Sequence, residues 1–318
     1  MGFYTWSSAA GDGTWTNNAY STKLRREAIS DSLGMQFVSP EAGYGLKKGE
    51  SLDLFRFNAL TVPTDGTLNE TLDIPIDKMS NARTRITVAE WGRGVEVTSK
   101  AVDLTFFQLE DMLETQLKEQ MTKTLDRKIW AIFKACQVKY IPTGVASAVW
   151  DTDGTASTAA LSNINVWHLG KIRDYMRDTL IVPYYGNQNG LGYYVGMFST
   201  KALRGIKLDP RWVEFQKHAD AVKGLNGVIA MIENILIMEN NDTTSFPNNS
   251  GTGSVLGEGV IFGADPVAMI VARDPELRYA TAGYGRFKGV VWYGELQFGE
   301  VRPIATAGHA RIVHIASS

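Results

Sequence analysis

Residues 105–139 read TFFQLEDMLETQLKEQMTKTLDRKIWAIFKACQVK, a run without glycine or proline in which strong helix formers dominate. Leu109, Leu113, Leu117, Met121, Leu125, Ile129 and Phe133 recur every fourth residue, and Met112, Ile132 and Cys136 widen the stripe. On a helix of 3.6 residues per turn, a period of four drifts by about 40° per step. Such a stripe cannot face one neighbour throughout. The spacing therefore predicts a long helix that meets different partners along its length, a strut across the molecule. Asp103 is placed to cap its start, and Pro142 and Gly144 to end it.

Upstream, Ser51–Val62 reads as a strand with Phe55 and Phe57 on one face and Arg56 and Asn58 on the other. Arg83–Val97 reads as its partner. Between them lies a polar excursion that opens on Pro63-Thr64-Asp65-Gly66 and runs to Asn81. The second strand changes phase, with Ile86 and Val88 at even positions and Trp91, Val95 and Val97 at odd ones. A β-bulge near Gly92 or Gly94 accounts for the slip. The result is a long, bent hairpin, and a lone hairpin needs a surface to lie on. The first fifty residues lack periodicity, apart from a short helical candidate at Ser21–Leu33. Tyr4, Trp6, Trp15 and Tyr20 lie among Gly, Ser and Asn. Large rings are not usually left in water, so this arm is expected to be ordered by lying on something else.

Downstream, Gly154–Ala160 is a small-residue linker. Asn165–Leu180 is an amphipathic helix with Val166, Leu169, Ile172, Met176 and Leu180 on one side. Leu191–Phe198 is a buried strand, Ser199 opens a short helix, and Pro210–Lys217 is another. Strands follow at Gly227–Ile232 and Ile235–Glu239, then a loop at Asn240–Gly259 expected to be mobile. Short strands at Val260–Phe262 and Ala268–Ala272 precede two closing strands, Arg286–Phe298 and His309–Ala316. The mixture of helices and strands marks an α+β chain.

With 318 residues, 44% of them hydrophobic and 21% charged, the chain can bury a sizeable core and is too apolar for a disordered one. A net charge of −2 and the lack of a basic stripe argue against a strong grip on nucleic acid. One cysteine, Cys136, allows no intrachain disulfide and suits a reducing compartment; it reads as a small apolar core residue. The first residues do not have the pattern of a secretory signal, and no stretch approaches the roughly 20 apolar residues of a membrane span.

Candidate chemistry is sparse. Three glycine clusters, at 190–196, 251–257 and 283–289, place the third glycine one residue late for a dinucleotide fingerprint and read as turns. His309 and His314, five apart on a strand, point to opposite faces, and surface or interface histidines are expected. Asp73, Asp77 and Glu90 read as a solvated polar edge. No catalytic, cofactor-binding or metal-binding residue is assigned, and the chain is not expected to be an enzyme. An arm, an unsupported hairpin and a strut all demand neighbours, as in a closed shell of identical subunits.

Arg56-Phe57-Asn58-Ala59-Leu60, then Gly92-Arg93-Gly94-Val95-Glu96-Val97-Thr98, followed by the strut, resemble the Hong Kong 97-type fold of tailed-phage major capsid proteins, closest to those of short-tailed phages. Tyr194-Val195-Gly196-Met197-Phe198-Ser199, Leu208-Asp209-Pro210-Arg211-Trp212-Val213 and Asn226-Gly227-Val228-Ile229 are similar to stretches of those proteins. The resemblance implies an N-arm at residues 1–50, an E-loop hairpin at 51–97 and a P-domain with its spine helix at 98–154. It further implies an A-domain at 155–285 and closing P-domain strands at 286–318. It implies self-assembly as hexamers and pentamers around double-stranded DNA held by weak, non-specific contacts, with no membrane. A separate scaffolding protein and a portal at one vertex are implied, and a decoration protein is left open. Candidate inter-subunit contacts are Trp6, Trp15 and Tyr20 of the arm, with Phe55, Arg56, Phe57, Asp65, Asn69, Arg83, Arg85, Trp91 and Arg93 of the hairpin. Cross-linking through Lys78, Asn69 or Asn81 is not carried over, because no catalytic carboxylate is marked beside them. An encapsulin-type bacterial compartment of the same fold and an α/β enzyme are the alternatives.

Overall fold

The computed structural model describes residues 32–318, apart from 42, 43, 46, 48, 69, 71, 72, 105–108, 189, 213 and 215–227. The helix expected at Ser21–Leu33, the arm residues Trp6, Trp15 and Tyr20, and Asn69 therefore lie outside the described residues, Leu33 excepted.

The decisive helix is α2 (Leu109–Lys134), preceded by the short α1 (Ser99–Leu104). Asp103 lies inside α1, which Thr98 caps, its hydroxyl accepting the Ala101 N–H at 3.2 Å. Nor does the helix reach Lys139. That residue opens a strand, and its ammonium turns back to donate to the Lys134 carbonyl at 2.5 Å, satisfying an open C-terminal acceptor.

The drifting stripe does meet two partners. Leu117 packs with Val290 and Trp292 on a four-stranded sheet. That sheet runs β1 (Val38–Pro40), β12 (Val267–Ala282), β13 (Phe287–Glu300), β4 (Ala89–Thr98) in spatial order. One turn after another, Leu125, Ile129, Trp130 and Phe133 swing onto a second sheet. Its main path is β6 (Ser147–Asp151), β5 (Lys139–Gly144), β14 (Ile312–Ile315), β11 (Gly259–Phe262), β8 (Leu191–Ser199), β10 (Ile235–Asn240) and β9 (Val228–Ile232), with β7 (Gly186–Gln188) also paired to β8.

Strand alternation divides the side chains of this sheet between two cores. Tyr194, Phe198, Ile235, Ile237, Ile261, Val313 and Ile315 point to a face covered by α3 (Val166–Asp178) and α4 (Thr200–Lys207). Val195, Met197, Leu236, Met238, Val260, Phe262 and Ile312 point to the other, covered by α2. All five apolar residues expected on α3's side are in the first core. Asn165 caps α3 by accepting the His168 N–H, and Ser199 caps α4 by accepting the Ala202 N–H at 3.3 Å. Ser199 is fully buried. Ser199→Ala is therefore expected to cost about 1–2 kcal/mol, seen as a lower urea midpoint with an unchanged slope.

Four expectations are corrected here. The long second strand does not bulge at Gly92 or Gly94; it breaks at Val88, where β3 (Asn81–Thr87) ends and β4 begins. β4 then pairs with β13 in unbroken register from Ala89↔Leu296 to Thr98↔Phe287. The strand at Ala268–Ala272 extends to Ala282, shifting register on either side of Arg273. The loop at 240–259 is packed down, with Phe246 and Leu256 fully buried and Asp242 held by Arg127 through bonds of 3.0 and 3.1 Å. His168 and His314, both expected at the surface or at an interface, are buried within the subunit. Residues 34–40, within the segment read as an arm, already belong to the body: Phe37 packs edge-on against Phe262 at 5.1 Å between ring centres.

Candidate assembly surface

β2 (Ser51–Phe57) and β3 form the hairpin in the register Ser51↔Thr87 to Phe57↔Asn81. Period-two alternation gives its two faces different fates. Leu52, Leu54 and Ile86 pack on Ala268, Ile270 and Val301, so the base of the hairpin is backed by its own sheet. The odd-numbered face is wet. Asp53 there receives a two-pronged contact from Arg85 (2.7 and 2.9 Å) and lies 3.5 Å from Arg83. The Arg85 hydrogen bond holds the Asp53 carboxyl below its ordinary pKa. Beyond this pair Phe55 and Phe57 stand 68% and 67% exposed.

Asn58 and Ser80 close the neck with a backbone bond of 3.0 Å and a side-chain bond of 2.9 Å. Past them the chain has no regular structure among the described residues, and Leu60, Val62, Leu68, Ile74, Ile76 and Met79 are all more than half exposed. Asp65 shapes the turn: the Thr67 N–H and hydroxyl donate to it at 2.9 and 2.8 Å and keep its carboxyl below the usual range. Six large apolar side chains without cover on one loop are characteristic of a surface meant to be buried by another molecule.

A second exposed edge is the β12–β13 turn. Tyr279 and Tyr284 are largely or wholly exposed, and Gly283, Tyr284 and Gly285 all adopt positive φ. Tyr279 donates to Glu114 of α2 at 2.6 Å. Val97, Leu113, Val290 and Tyr279 line a shallow groove of about 250 Å³ beside it.

The residues singled out in the sequence do not form one site. Phe55, Phe57, Arg83, Arg85 and Asp65 lie on the exposed hairpin and its loop. Arg56 is on the opposite, half-buried face, bonded to the Thr84 hydroxyl at 3.3 Å. Arg93 is exposed on β4. Trp91 turns into its own body: its indole donates to the Leu296 carbonyl at 2.9 Å and Lys128 sits 5.6 Å above its ring. Missed were Asp53 and the apolar residues of the loop, whose signal was hydrophobicity without period in a polar stretch.

The interior offers structural ion pairs in place of reactive groups. Burial pushes the Cys136 thiol up to about 12, far from a thiolate at neutral pH. Asp242 sits between Lys123 and Arg127; Glu258 sits between Lys134 and His314. Among the described residues no group of three or more His, Cys, Asp or Glu is arranged to hold a metal.

No family model matches the sequence, and no similar curated protein was found. Solved structures do match. The capsid of Ralstonia phage GP4 is 13% identical with a TM-score of 0.69, over 99% of this chain and 98% of that one. The capsid asymmetric unit of Cyanophage Pam1 is 14% identical at 0.69, over 100% and 99%. The acidic stable capsid of Helicobacter pylori bacteriophage KHP30 is 11% identical at 0.69, over 95% and 96%. The chain has the Hong Kong 97-type capsid fold. The match spans nearly the whole of each chain, so the hairpin, α2 and both sheets are covered together.

Proposed function

We propose that the chain is the major capsid protein of a tailed phage, a structural subunit that assembles as pentamers and hexamers into the icosahedral head around double-stranded DNA. One observation carries this reading: a chain with the capsid fold over its full length presents a hairpin loop whose large apolar side chains have no cover on the subunit itself. Neighbouring copies would supply that cover.

The division proposed is an N-arm at 1–50, the E-loop at 51–97, the P-domain at 98–154 and 286–318, and the A-domain at 155–285. The pairing of β4 with β13 would tie the E-loop's return strand into the P-domain sheet, and β14 would tie the chain's end to the sheet of the A-domain. Scaffolding and portal proteins, and a decoration protein where one exists, would be partners. The net charge of −2 favours weak, non-specific contact with packaged DNA. Among the described residues no helix is long and apolar enough to cross a membrane. The virion head is the proposed location, with assembly in the host cytoplasm and no catalytic step. That the similar solved structures are phage capsids favours this reading over an encapsulin-type compartment or an enzyme. Negative-stain imaging of the purified protein, alone and with its scaffold, is expected to show uniform icosahedral particles. A monodisperse monomer under both conditions would overturn the proposal.

A further inference from the structure

A buried cation is tolerated when a counter-charge meets it. Arg311, on the connection into β14, is only 6% exposed, yet among the described residues its guanidinium makes a single hydrogen bond, from Nη1 to the Ala310 carbonyl at 3.0 Å. Two more cationic side chains, Arg302 and Arg56, gather with it around the His309 ring. Arg302 follows β13 and donates to the Gly308 carbonyl at 3.3 Å; Arg56 comes from β2; His309 lies two residues before Arg311. Val301, next to Arg302, packs in the cluster that holds Leu52 and Leu54 of β2, which brings these segments together. Among the described residues no carboxylate reaches ion-pair distance of Arg56, Arg302 or Arg311. The Arg56 Nε and His309 Nδ1 are buried without a hydrogen-bond partner.

The electrostatics agree with the crowding. Burial, then the charges of Arg56, Arg302 and Arg311, hold the His309 ring below its ordinary pKa. Burial and then Arg302 bring Arg311 down to about 10, against the opposing pull of Asp265 and Tyr194. Asp265 is the carboxylate whose charge is felt there, and it stays outside ion-pair range.

The complementary charge is on the hairpin loop. Residues 58–80 hold Asp65, Glu70, Asp73 and Asp77 against the single cation Lys78. Asp65 is engaged by Thr67, whereas Asp73 and Asp77 are exposed and make no ion pair among the described residues. Among the described residues of one copy, no ion pair joins Asp73 or Asp77 to Arg56, Arg302 or Arg311.

We propose that Arg56, Arg302, His309 and Arg311 receive the carboxylates of Asp73 and Asp77 from the hairpin loop of a second copy of this chain. The inference rests on the shell reading and names the partner of the exposed loop. Charge pairing of this kind fixes register more than it adds affinity, so the apolar side chains of the loop would supply the adhesion and the ion pairs its placement.

The test is a charge swap in the assembly mixture that yields wild-type particles. Arg302→Glu alone, and Asp73→Lys with Asp77→Lys, are each expected to lower particle yield about tenfold at physiological salt. All three changes in one chain are expected to restore most of it. Thermal melting of the unassembled subunits separates loss of fold from loss of assembly. In case Arg302→Glu does not fold, Asp73→Cys and Arg302→Cys are combined; Cys136 is buried, so oxidation is expected to give a ladder of disulfide-linked copies. Full assembly of both charge variants would overturn the proposal, as would a failure of the triple variant to recover or the lack of a ladder. An Arg302→Glu shell that closes normally but retains less DNA would show the anion to be a phosphate, and would also overturn it. Each of these outcomes leaves the shell reading intact, because wild-type particles are the reference.

Discussion

Replacing residues 59–79 by a two-glycine turn is expected to leave the subunit folded and to abolish closed particles. The loop contributes no buried side chain among its described residues, and the Asn58–Ser80 bonds that close its neck are retained. Shortening it lowers the cost of loop closure, so subunit stability is expected to hold or to rise by up to about 2 kcal/mol. Assembly is another matter. Leu60, Val62, Leu68, Ile74, Ile76 and Met79 are exposed, and covering such a side chain fully is worth roughly 1.5–3 kcal/mol. Ordering the loop on a neighbour offsets much of that sum, leaving on the order of a few kcal/mol per contact. Repeated around a closed shell, this is enough to decide between particles and free subunits. Sedimentation separates the two. Normal particle yield from the shortened chain would remove the loop from the assembly surface.

The strut helix shows how far a sequence carries a fold. Its four-residue period already implied different neighbours along its length, and Leu117 on one sheet with Phe133 on another is that implication realised. The hairpin shows where sequence reading stops. A phase slip was visible, but the glycines that suggested a bulge serve close packing. A Cβ on Gly92 would meet the Trp292 carbonyl at 2.8 Å, and one on Gly94 would meet Val291 at 3.0 Å. The slip reflects a change of partner at Val88, from β2 to β13, and a partner about 200 residues away leaves no local mark. The same cause hid the rest of β12. Arg273-Asp274-Pro275 looks like the end of a strand, yet β12 absorbs it as a register shift because β13 holds both sides. The polar loop at 240–259 looked mobile because Arg127, which pairs with Asp242, comes from a distant helix. On the assembly surface, Phe55 and Phe57 were legible as exposed candidates once a hairpin was read. Trp91 was not, since the Leu296 carbonyl that takes its N–H is fixed only by the sheet.

The buried histidines, expected from the sequence at the surface or at an interface, give the subunit a measurable sensitivity to acid. His168 is fully buried on α3, with Nδ1 2.6 Å from the Tyr140 hydroxyl. Burial raises the Tyr140 pKa, so that hydroxyl keeps its proton and shares a hydrogen bond with the neutral ring. Burial also lowers His168 from 6.5 to about 4, the Gly144 carbonyl pulling the other way. The unfolded chain therefore binds a proton between pH 6.5 and 4 that the folded chain refuses, and stability falls as pH drops through that window. From neutral pH to 4.5 the loss from this one ring is about 2–3 kcal/mol. His314 is also brought to about 4, whereas burial raises Glu300 to about 8 and so stabilises the fold toward acid. A bare acid titration would mix these opposing effects. The variant His168→Gln isolates one of them: its deficit relative to wild type is expected to shrink by about 2–3 kcal/mol between pH 7.5 and 4.5, read from urea unfolding of unassembled subunits at both values. Glu258 and Asp242, both held near 2, lose their contribution only below about pH 4.5 and do not enter that comparison. A deficit independent of pH would mean that His168 takes up its proton in the folded subunit, and that the Tyr140 contact does not keep the ring neutral.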